Sequence, residues 1–352
     1  IINNLIRIQE DLPNLTASTS TPSDCYMSKS GLLWDKRPIR KSRRKLHNII
    51  KTKAGPNRNV SSEEEAFRLF ITDDIINIVV TETNRKAKEF FRIWNVNHPD
   101  KLKAWLPTNF DEIRAYIGLL LIFGAMKASK EPVELLWTSD AAFQLPITAA
   151  TMSRTRFQLL TSFLRFDNFL TRAERKATEK LAPIREVFDI FVKQCKTCYT
   201  PGTHVTIDEQ LVGYRGRCSF RVYMKSKPDR YGIKIWAMAD ASNAYTLNMQ
   251  VYLGKVGNVS EKNQGERVVL DLVQDLQPGR GVTCDNFFTS VSLVEKLLQK
   301  NVSFCGTLRK NKPCIPSELL PKNYKPVNSS MFCFRPDYTL VSYVPKKKKQ
   351  EI

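Results

Sequence analysis

Apolar residues between positions 61 and 200 recur at spacings of three and four, which is the period of an amphipathic α-helix. Four helices are predicted: from Ser61 or Ser62, from Asn109, from Ser153, and from Pro183 to about Tyr199. Ser61 or Ser62 can cap the N-terminus of the first helix, and Glu64 and Glu65 lie in its first turn. In the second helix, Ile113, Ile117, Leu120, Leu121 and Gly124 are predicted to face a core. The pattern therefore predicts a helical domain over residues 61–200.

After residue 200 the hydrophobic period changes to two, which is typical of β-strands. The predicted elements, in chain order, are strands His204–Asp208, Tyr231–Asp240 and Tyr245–Leu253, helix Gly265–Leu276, a strand into Asp285, helix Ser290–Gln299 and strand Val302–Leu308. This is the element order of an RNase H-like mixed α/β core, which we assign to residues 201–311. Strand-like runs Ser330–Phe334 and Thr339–Val344 follow in a Pro-rich segment, residues 312–352.

Residues 1–60 are polar and strongly basic, with nine Lys or Arg between Lys36 and Lys53. We interpret this segment as a flexible basic arm. A role in nuclear import or DNA contact and a merely solvated run of charge are equally compatible with its composition.

The overall charge favours a polyanionic partner. The 352 residues carry 55 Lys and Arg against 35 Asp and Glu, a net charge of +20. Nucleic acid is the leading candidate and an acidic membrane surface the alternative. The longest apolar run, Ile117 to Met126, is shorter than the ~20 residues that span a bilayer. We therefore expect a nuclear, DNA-binding protein. Its eight cysteines are expected to be reduced thiols.

Asp208 and Asp285 are the candidate catalytic and metal-binding residues, because each closes a strand-like run. A buried carboxylate costs free energy unless a positive charge neutralises it. In an RNase H-like sheet the two strands would be neighbours, so the carboxylates could share Mg²⁺ or Mn²⁺, which prefer oxygen ligands. Two such ions can hold the attacking and leaving oxygens of a phosphodiester. The alternative is that each aspartate only caps a turn or a helix.

A basic segment follows the first aspartate. Residues 214–234 contain seven Lys or Arg and one acid, Asp229, with glycines that allow close backbone approach. Arginine can bind phosphate through two hydrogen bonds, so we predict a hairpin that cradles DNA, with a solvated hairpin as the alternative. The candidate DNA contacts are Arg215, Arg217, Lys225, Lys227, Arg230 and Lys234.

Cys195 and Cys198 form the one close cysteine pair. The three histidines lack the spacing that a zinc site would need. Because residues three apart share a helix face, we predict that both cysteines pack in a core.

Several motifs in fixed order resemble the piggyBac transposases. They are Met152–Phe157, Leu164–Asn168, Tyr199–Gln210, Gly213–Arg217, Lys227-Pro228, Tyr231–Lys234, Thr283–Ser290 and Ser330–Phe334. The resemblance covers roughly residues 60–345. It implies a DDE-type, RNase H-like transposase that cuts at element ends and joins the freed 3′-OH to TTAA targets. Asp208 and Asp285 would be its first two catalytic carboxylates.

The resemblance also implies domain roles. Residues 61–200 would be a dimerisation and DNA-binding domain, which makes a homodimer the expected assembly, and residues 312–352 would begin an insertion domain. The family's third catalytic aspartate has no counterpart before Ile352. We therefore expect a C-terminally truncated relative with an incomplete core that is inactive in this form. The alternative is a non-catalytic, sequence-specific DNA-binding protein derived from a transposon.

Overall fold

The computed structural model describes residues 24–39, 50, 52–128, 130–138, 140, 145–255, 261–320, 325–346 and 349–351. The part between residues 63 and 198 consists mainly of helices. They are α1 (Glu63–Phe70), α2 (Asp73–Asn97), α3 (Phe110–Ala125), α4 (Val133–Leu136), α5 (Pro146–Thr151), α6 (Arg154–Phe163), α7 (Arg172–Thr178) and α8 (Arg185–Cys198).

The predicted helix starts are confirmed by their caps. The side chains of Ser62, Asn109 and Ser153 each accept a hydrogen bond from a backbone N–H in the first turn of α1, α3 and α6. The first predicted helix is in fact two, because α1 ends at Phe70 and the hydroxyl of Thr72 caps α2. Hydrophobic spacing continues across this break, whereas the local hydrogen bond of a threonine is invisible to it.

The predicted inner face of α3 is only partly correct. Ile113 is buried, but Leu120 and Leu121 are 43% and 56% exposed. The face that packs against α2 and α6 instead carries Tyr116, Leu119 and Phe123. Because this helix is apolar almost all round, periodicity could not select its buried side.

A six-stranded sheet follows, in the element order that the sequence predicted. Its strands are β5 (His204–Gly213), β6 (Val222–Tyr223), β7 (Tyr231–Asp240), β8 (Thr246–Val251), β9 (Gly281–Cys284) and β10 (Ser303–Gly306), with helices α9 (Gln264–Leu272) and α10 (Val291–Gln299). In space β10, β9, β5 and β7 are consecutive, and both β6 and β8 pair with β7. Strand β9 runs parallel to β5 and β10, whereas β7 is antiparallel to β5.

The two faces of this sheet differ in burial. One face, which includes Val205, Ile207 and Trp236, is buried against α9 and α10. Residues of the opposite face, such as Thr206 and Ala237, are only half-buried. Since side chains alternate along a strand, Asp208 belongs to this more open face.

The N-terminal segment is not a flexible arm at residues 24–39. Strands β1 (Cys25–Met27) and β2 (Leu33–Asp35) join a second sheet with β11 (Ser330–Phe334), β12 (Thr339–Lys346) and β13 (Lys349–Glu351). The buried indole of Trp34 donates a hydrogen bond to the carbonyl of Cys314, at 2.9 Å. The predicted arm is therefore wrong here, because its apolar residues find partners some 300 positions away. The Lys41–Lys45 cluster lies outside the described residues.

A second part of the predicted arm is also ordered. Strand β3 (Gly55–Pro56) pairs with β4 (Tyr199–Thr200), just before the six-stranded sheet. No described helix is long and apolar enough to cross a membrane. All eight cysteines are free thiols.

Candidate active site and basic loop

Asp208 and Asp285 occupy corresponding positions on adjacent strands. Parallel pairing of β5 with β9 places Ile207 beside Cys284, the last residue of β9, so the residue that follows each of them is one of the two aspartates. Neighbouring strands lie about 4.8 Å apart, which brings both carboxylates to one place. The adjacency of the two strands, on which the predicted metal site depended, is therefore confirmed. Asp208 lies within β5 rather than at its end, because this strand continues to Gly213.

The charges of both carboxylates affect the pKa of the Cys284 thiol. Burial raises its pKa strongly, and the negative charges of Asp285 and then Asp208 raise it further. A raised pKa favours the protonated thiol over the thiolate. The aspartate pair itself offers carboxylate oxygens as ligands.

Both carboxylates are exposed, so the premise that their burial needs a neutralising charge is wrong. Each uses one oxygen for a local hydrogen bond. Asp208 Oδ1 accepts from the Glu209 N–H at 2.7 Å, and Asp285 Oδ1 accepts from the Phe287 N–H at 2.8 Å. The second contact is a turn of the kind that the alternative interpretation expected. Within the described residues, Oδ2 of each aspartate accepts no hydrogen bond.

This donor set suits Mg²⁺ or Mn²⁺. Magnesium keeps several of its waters and commonly binds through one or two carboxylates together with substrate phosphates. Asp208 and Asp285 supply two such carboxylates at an exposed position. The described part of the chain contains no group of three or more His, Cys, Asp or Glu that could hold a metal ion.

Glu209 faces the other side of the sheet from Asp208, because successive side chains alternate along a strand. Its Oε2 lies 2.7 Å from Nζ of Lys234. The ammonium group of Lys234 lies over the Phe287 ring, 5.2 Å from its centroid, and its side chain is 15% exposed. Lys234 therefore faces the protein, and its predicted DNA contact is not retained. This ion pair links the residue after Asp208 to the loop that carries Asp285.

The remaining basic candidates lie in the connection from β5 to β7, which we call the basic loop (residues 214–230). The basic loop contains strand β6, which pairs with the start of β7. Lys227 is half-buried and donates to the carbonyl of Glu209 at 3.0 Å. The other four candidates are exposed and have no ion pair or side-chain hydrogen bond with any described residue. They are Arg215, Arg217, Lys225 and Arg230.

Arg221 is exposed but also organises the loop. Its guanidinium donates to the carbonyls of Arg215 and Gly216, at 2.8 and 3.1 Å. A Cβ at Gly216 would lie 2.4 Å from the hydroxyl of Tyr214, so any other residue there would displace this tyrosine side chain. The loop therefore has a defined backbone that presents its unpaired cations outward.

Arg309 is a residue near the site that sequence reasoning missed. Its Nε donates to Oδ1 of Asn286 at 3.1 Å, directly beside Asp285. The sequence position of Arg309 was informative, because this residue follows β10 and the ends of the parallel neighbours β9 and β10 meet at one edge of the sheet. Recognising it required the strand order in space.

Cys195 and Cys198 are buried on α8, as predicted for core packing. Burial and the neighbouring Cys198 raise the pKa of Cys195 to about 11. Its backbone carbonyl accepts a hydrogen bond from the Tyr245 hydroxyl at 2.9 Å. This hydrogen bond links α8 to Tyr245, the residue before β8.

Comparison with known proteins places the chain in a family. Residues 62–351 match the family model described as Transposase IS4. The chain is 25% identical over 253 residues to human PiggyBac transposable element-derived protein 3, covering 70% of this chain and 40% of that protein. It is 26% identical over 282 residues to human PiggyBac transposable element-derived protein 2, covering 77% and 44%.

A solved structure is similar over a larger share. It is a piggyBac transposase synaptic complex with hairpin DNA, 37% identical, with a TM-score of 0.76 over 85% of this chain and 62% of that one. The chain spans about two fifths of the length of the two human relatives. Together with the mixed α/β fold, these matches show that the chain belongs to the piggyBac family of IS4-type transposases.

Proposed function

We propose that this protein is a piggyBac-like DNA transposase or a domesticated derivative, with Asp208 and Asp285 as ligands of Mg²⁺ or Mn²⁺. The observation that carries the proposal is the parallel register of β5 and β9, which places both carboxylates on neighbouring strands. A carboxylate pair of this kind beside an unpaired basic loop suits a phosphodiester substrate.

Each group has a distinct role in this proposal. Bound divalent ions would stabilise charge on the scissile phosphate and activate the attacking oxygen. Asp208 and Asp285 hold and orient the reacting centre through the Oδ2 atoms left open by their local hydrogen bonds. The four exposed cations of the basic loop neutralise flanking phosphates. Arg309 lies where it can contact a phosphate next to Asp285.

The partners follow from charge and family. The net charge of +20 favours DNA, and the similar solved structure is a complex with hairpin DNA. Transposon ends, TTAA-type targets, a homodimer and a nuclear location are carried over as part of this proposal. The helical part, residues 63–198, would provide dimerisation and further DNA contacts.

Metal binding tests the proposed site. Isothermal titration of Mn²⁺ into the wild type should give binding that Asp208→Ala and Asp285→Ala abolish. The matched control is Asp275→Ala, which removes an exposed carboxylate paired with Lys196 away from the two strands. Equal Mn²⁺ binding by the wild type and Asp208→Ala would refute the metal site.

A second candidate is a non-catalytic, sequence-specific DNA-binding protein derived from a transposon. It is favoured by the presence of only two clustered carboxylates in the described part of the chain, because a two-metal site needs more fixed ligands. We therefore expect the 352-residue chain to bind terminal-repeat DNA without cutting it in Mg²⁺. Strand cleavage that depends on Asp208 would exclude this candidate.

A further inference from the structure

Three tyrosines form a row across the backbone at the edge of the basic loop. Tyr231 begins β7 and pairs in register with Tyr223 of β6 on one side. On its other side, the backbone N–H of Tyr214 donates to the carbonyl of Tyr231 at 3.1 Å. The row Tyr214, Tyr231 and Tyr223 therefore crosses three adjacent chain segments, and we call it the tyrosine row.

The tyrosine row is unusually exposed for large aromatic side chains. Tyr214 and Tyr231 are each 44% exposed and Tyr223 is 54% exposed. The rings of Tyr223 and Tyr231 contact each other, with centroids 4.9 Å apart. Clusters of exposed apolar side chains mark interaction sites on proteins.

Charge identifies the occupant. The four unpaired cations of the basic loop lie next to the tyrosines in the chain, and the guanidinium of Arg221 lies 5.6 Å from the Tyr231 ring centroid. The one acid of the loop is Asp229. A ligand here should carry negative charge and flat, stackable groups, which together describe a nucleotide.

We propose that the tyrosine row stacks against unpaired bases of the DNA while the neighbouring cations bind the flanking phosphates. This inference rests on the proposed action on DNA and specifies the substrate as DNA with a locally single-stranded segment. A fully paired duplex hides the faces of its bases, so phosphate contacts alone would leave three exposed rings unused. Unpaired bases present those faces at no further cost of unstacking.

The test compares two DNA probes and uses the full 352-residue chain. One probe is a fully paired duplex and the other is the same duplex with a short unpaired stretch that contains 2-aminopurine. The wild type should bind the unpaired probe more tightly by about tenfold, which is ~1.4 kcal/mol and typical of one stacked base. Stacking should also quench the 2-aminopurine fluorescence.

Variants separate stacking from charge. Tyr223→Leu should lose the preference for the unpaired probe and the quenching, yet keep its affinity for the duplex, whereas Tyr223→Phe should retain all three. The matched control is Tyr343→Leu, which replaces a tyrosine that is 38% exposed on the second sheet, on β12.

The outcomes distinguish this inference from the proposed function. Equal affinity of the wild type for both probes, or equal weakening of both by Tyr223→Leu, would overturn the tyrosine row alone. Failure to bind either DNA would overturn the proposed action on DNA as well. If the row instead served a protein partner, DNA binding would be unchanged in Tyr223→Leu, and this too would overturn the inference.

Discussion

The aspartate pair and the basic loop lie at successive parts of the same strand, yet they are held in different ways. Asp208 lies within β5, where it pairs with Ala237 of β7 and directly follows the last residue that pairs with β9. The basic loop leaves the end of that strand and keeps four cations and two tyrosines, Tyr214 and Tyr223, exposed. Its backbone is held chiefly by the hydrogen bonds of Arg221 and by the short pairing of β6.

Under the proposed function, this difference assigns metal binding to the paired strands and DNA recognition to the exposed loop. Metal ligands need fixed positions, and adjacent strands supply them because each strand is hydrogen-bonded to the next. Phosphates and bases of an extended polymer vary in position, and long exposed side chains can follow them. We therefore expect changes below the aspartates to alter the free energy of unfolding, and changes in the loop to alter DNA affinity.

The largest effect should come from the core beneath the aspartates. Ile207→Ala removes a buried side chain between Asp208 and the core and should lower the free energy of unfolding by about 2–5 kcal/mol. Urea denaturation followed by circular dichroism measures it. The matched control, Val212→Ala, lies on the same strand at an exposed position and should change this free energy by about 0.5 kcal/mol or less. Similar losses in both would mean that burial beneath Asp208 is not what stabilises this strand.

Charge reversal in the basic loop should leave stability unchanged and weaken DNA binding. Arg215→Glu with Arg217→Glu should make the slope of log affinity against log salt shallower by about two units, since each neutralised phosphate contributes about 0.9. Affinity should fall by about 10- to 100-fold, or ~1.4–2.8 kcal/mol. Fluorescence anisotropy over a range of salt concentrations measures both quantities.

The control for this experiment is Lys193→Glu with Lys300→Glu, which reverses two exposed charges on α8 and after α10. It makes the same change in net charge away from the loop. An equal loss of affinity would mean that overall charge, and not the basic loop, binds the DNA.

Substitution of Asp240 tests whether the start of β5, at the opposite end from the basic loop, contributes to stability. Its buried carboxylate accepts from the Gly202 N–H at 2.6 Å and the Ser242 N–H at 2.8 Å, beside the start of β5. Burial raises its pKa, but these hydrogen bonds outweigh burial and hold the pKa below its usual value. Asp240→Asn should lower the free energy of unfolding by about 1.5 kcal/mol at pH 7.

The pH dependence of this loss has a fixed sign. A lowered carboxyl pKa stabilises the fold above the unfolded-state value of about 4, and the effect disappears as pH falls through the folded pKa. The difference between wild type and Asp240→Asn should therefore shrink in acid denaturation profiles below about pH 4. Asp229→Asn, at the exposed acid of the basic loop, is the control. A difference that grows in acid would refute the assignment.

The smallest effect should come from Glu209, next to Asp208 but on the opposite face. Glu209→Gln weakens its partly exposed ion pair with Lys234 and should lower the free energy of unfolding by about 0.5–1 kcal/mol. Mn²⁺ affinity should stay close to that of the wild type, in contrast to Asp208→Ala. Loss of Mn²⁺ binding in the Glu209 variant would show that the two faces are not separate.

The sequence by itself determined the local features. Caps such as Asn109 and Ser153 mark helix starts because the side chain bonds to its own first turn. Strand Tyr231–Asp240 has the predicted bounds because alternation of buried and open positions is a property of the strand itself. Asp208 and Asp285 could be selected for the same reason, as carboxylates in or directly after strand-like runs.

The tertiary structure decided everything that depends on distant partners. Strand β2 is ordered because it pairs with β11, and no local pattern distinguishes such a segment from a flexible arm. The exposure of both aspartates, the burial of Lys234 beside Phe287 and the approach of Arg309 to Asn286 follow from which strands are neighbours. Side-chain periodicity specifies a face and an element, whereas strand order in space is set by long-range packing of those faces.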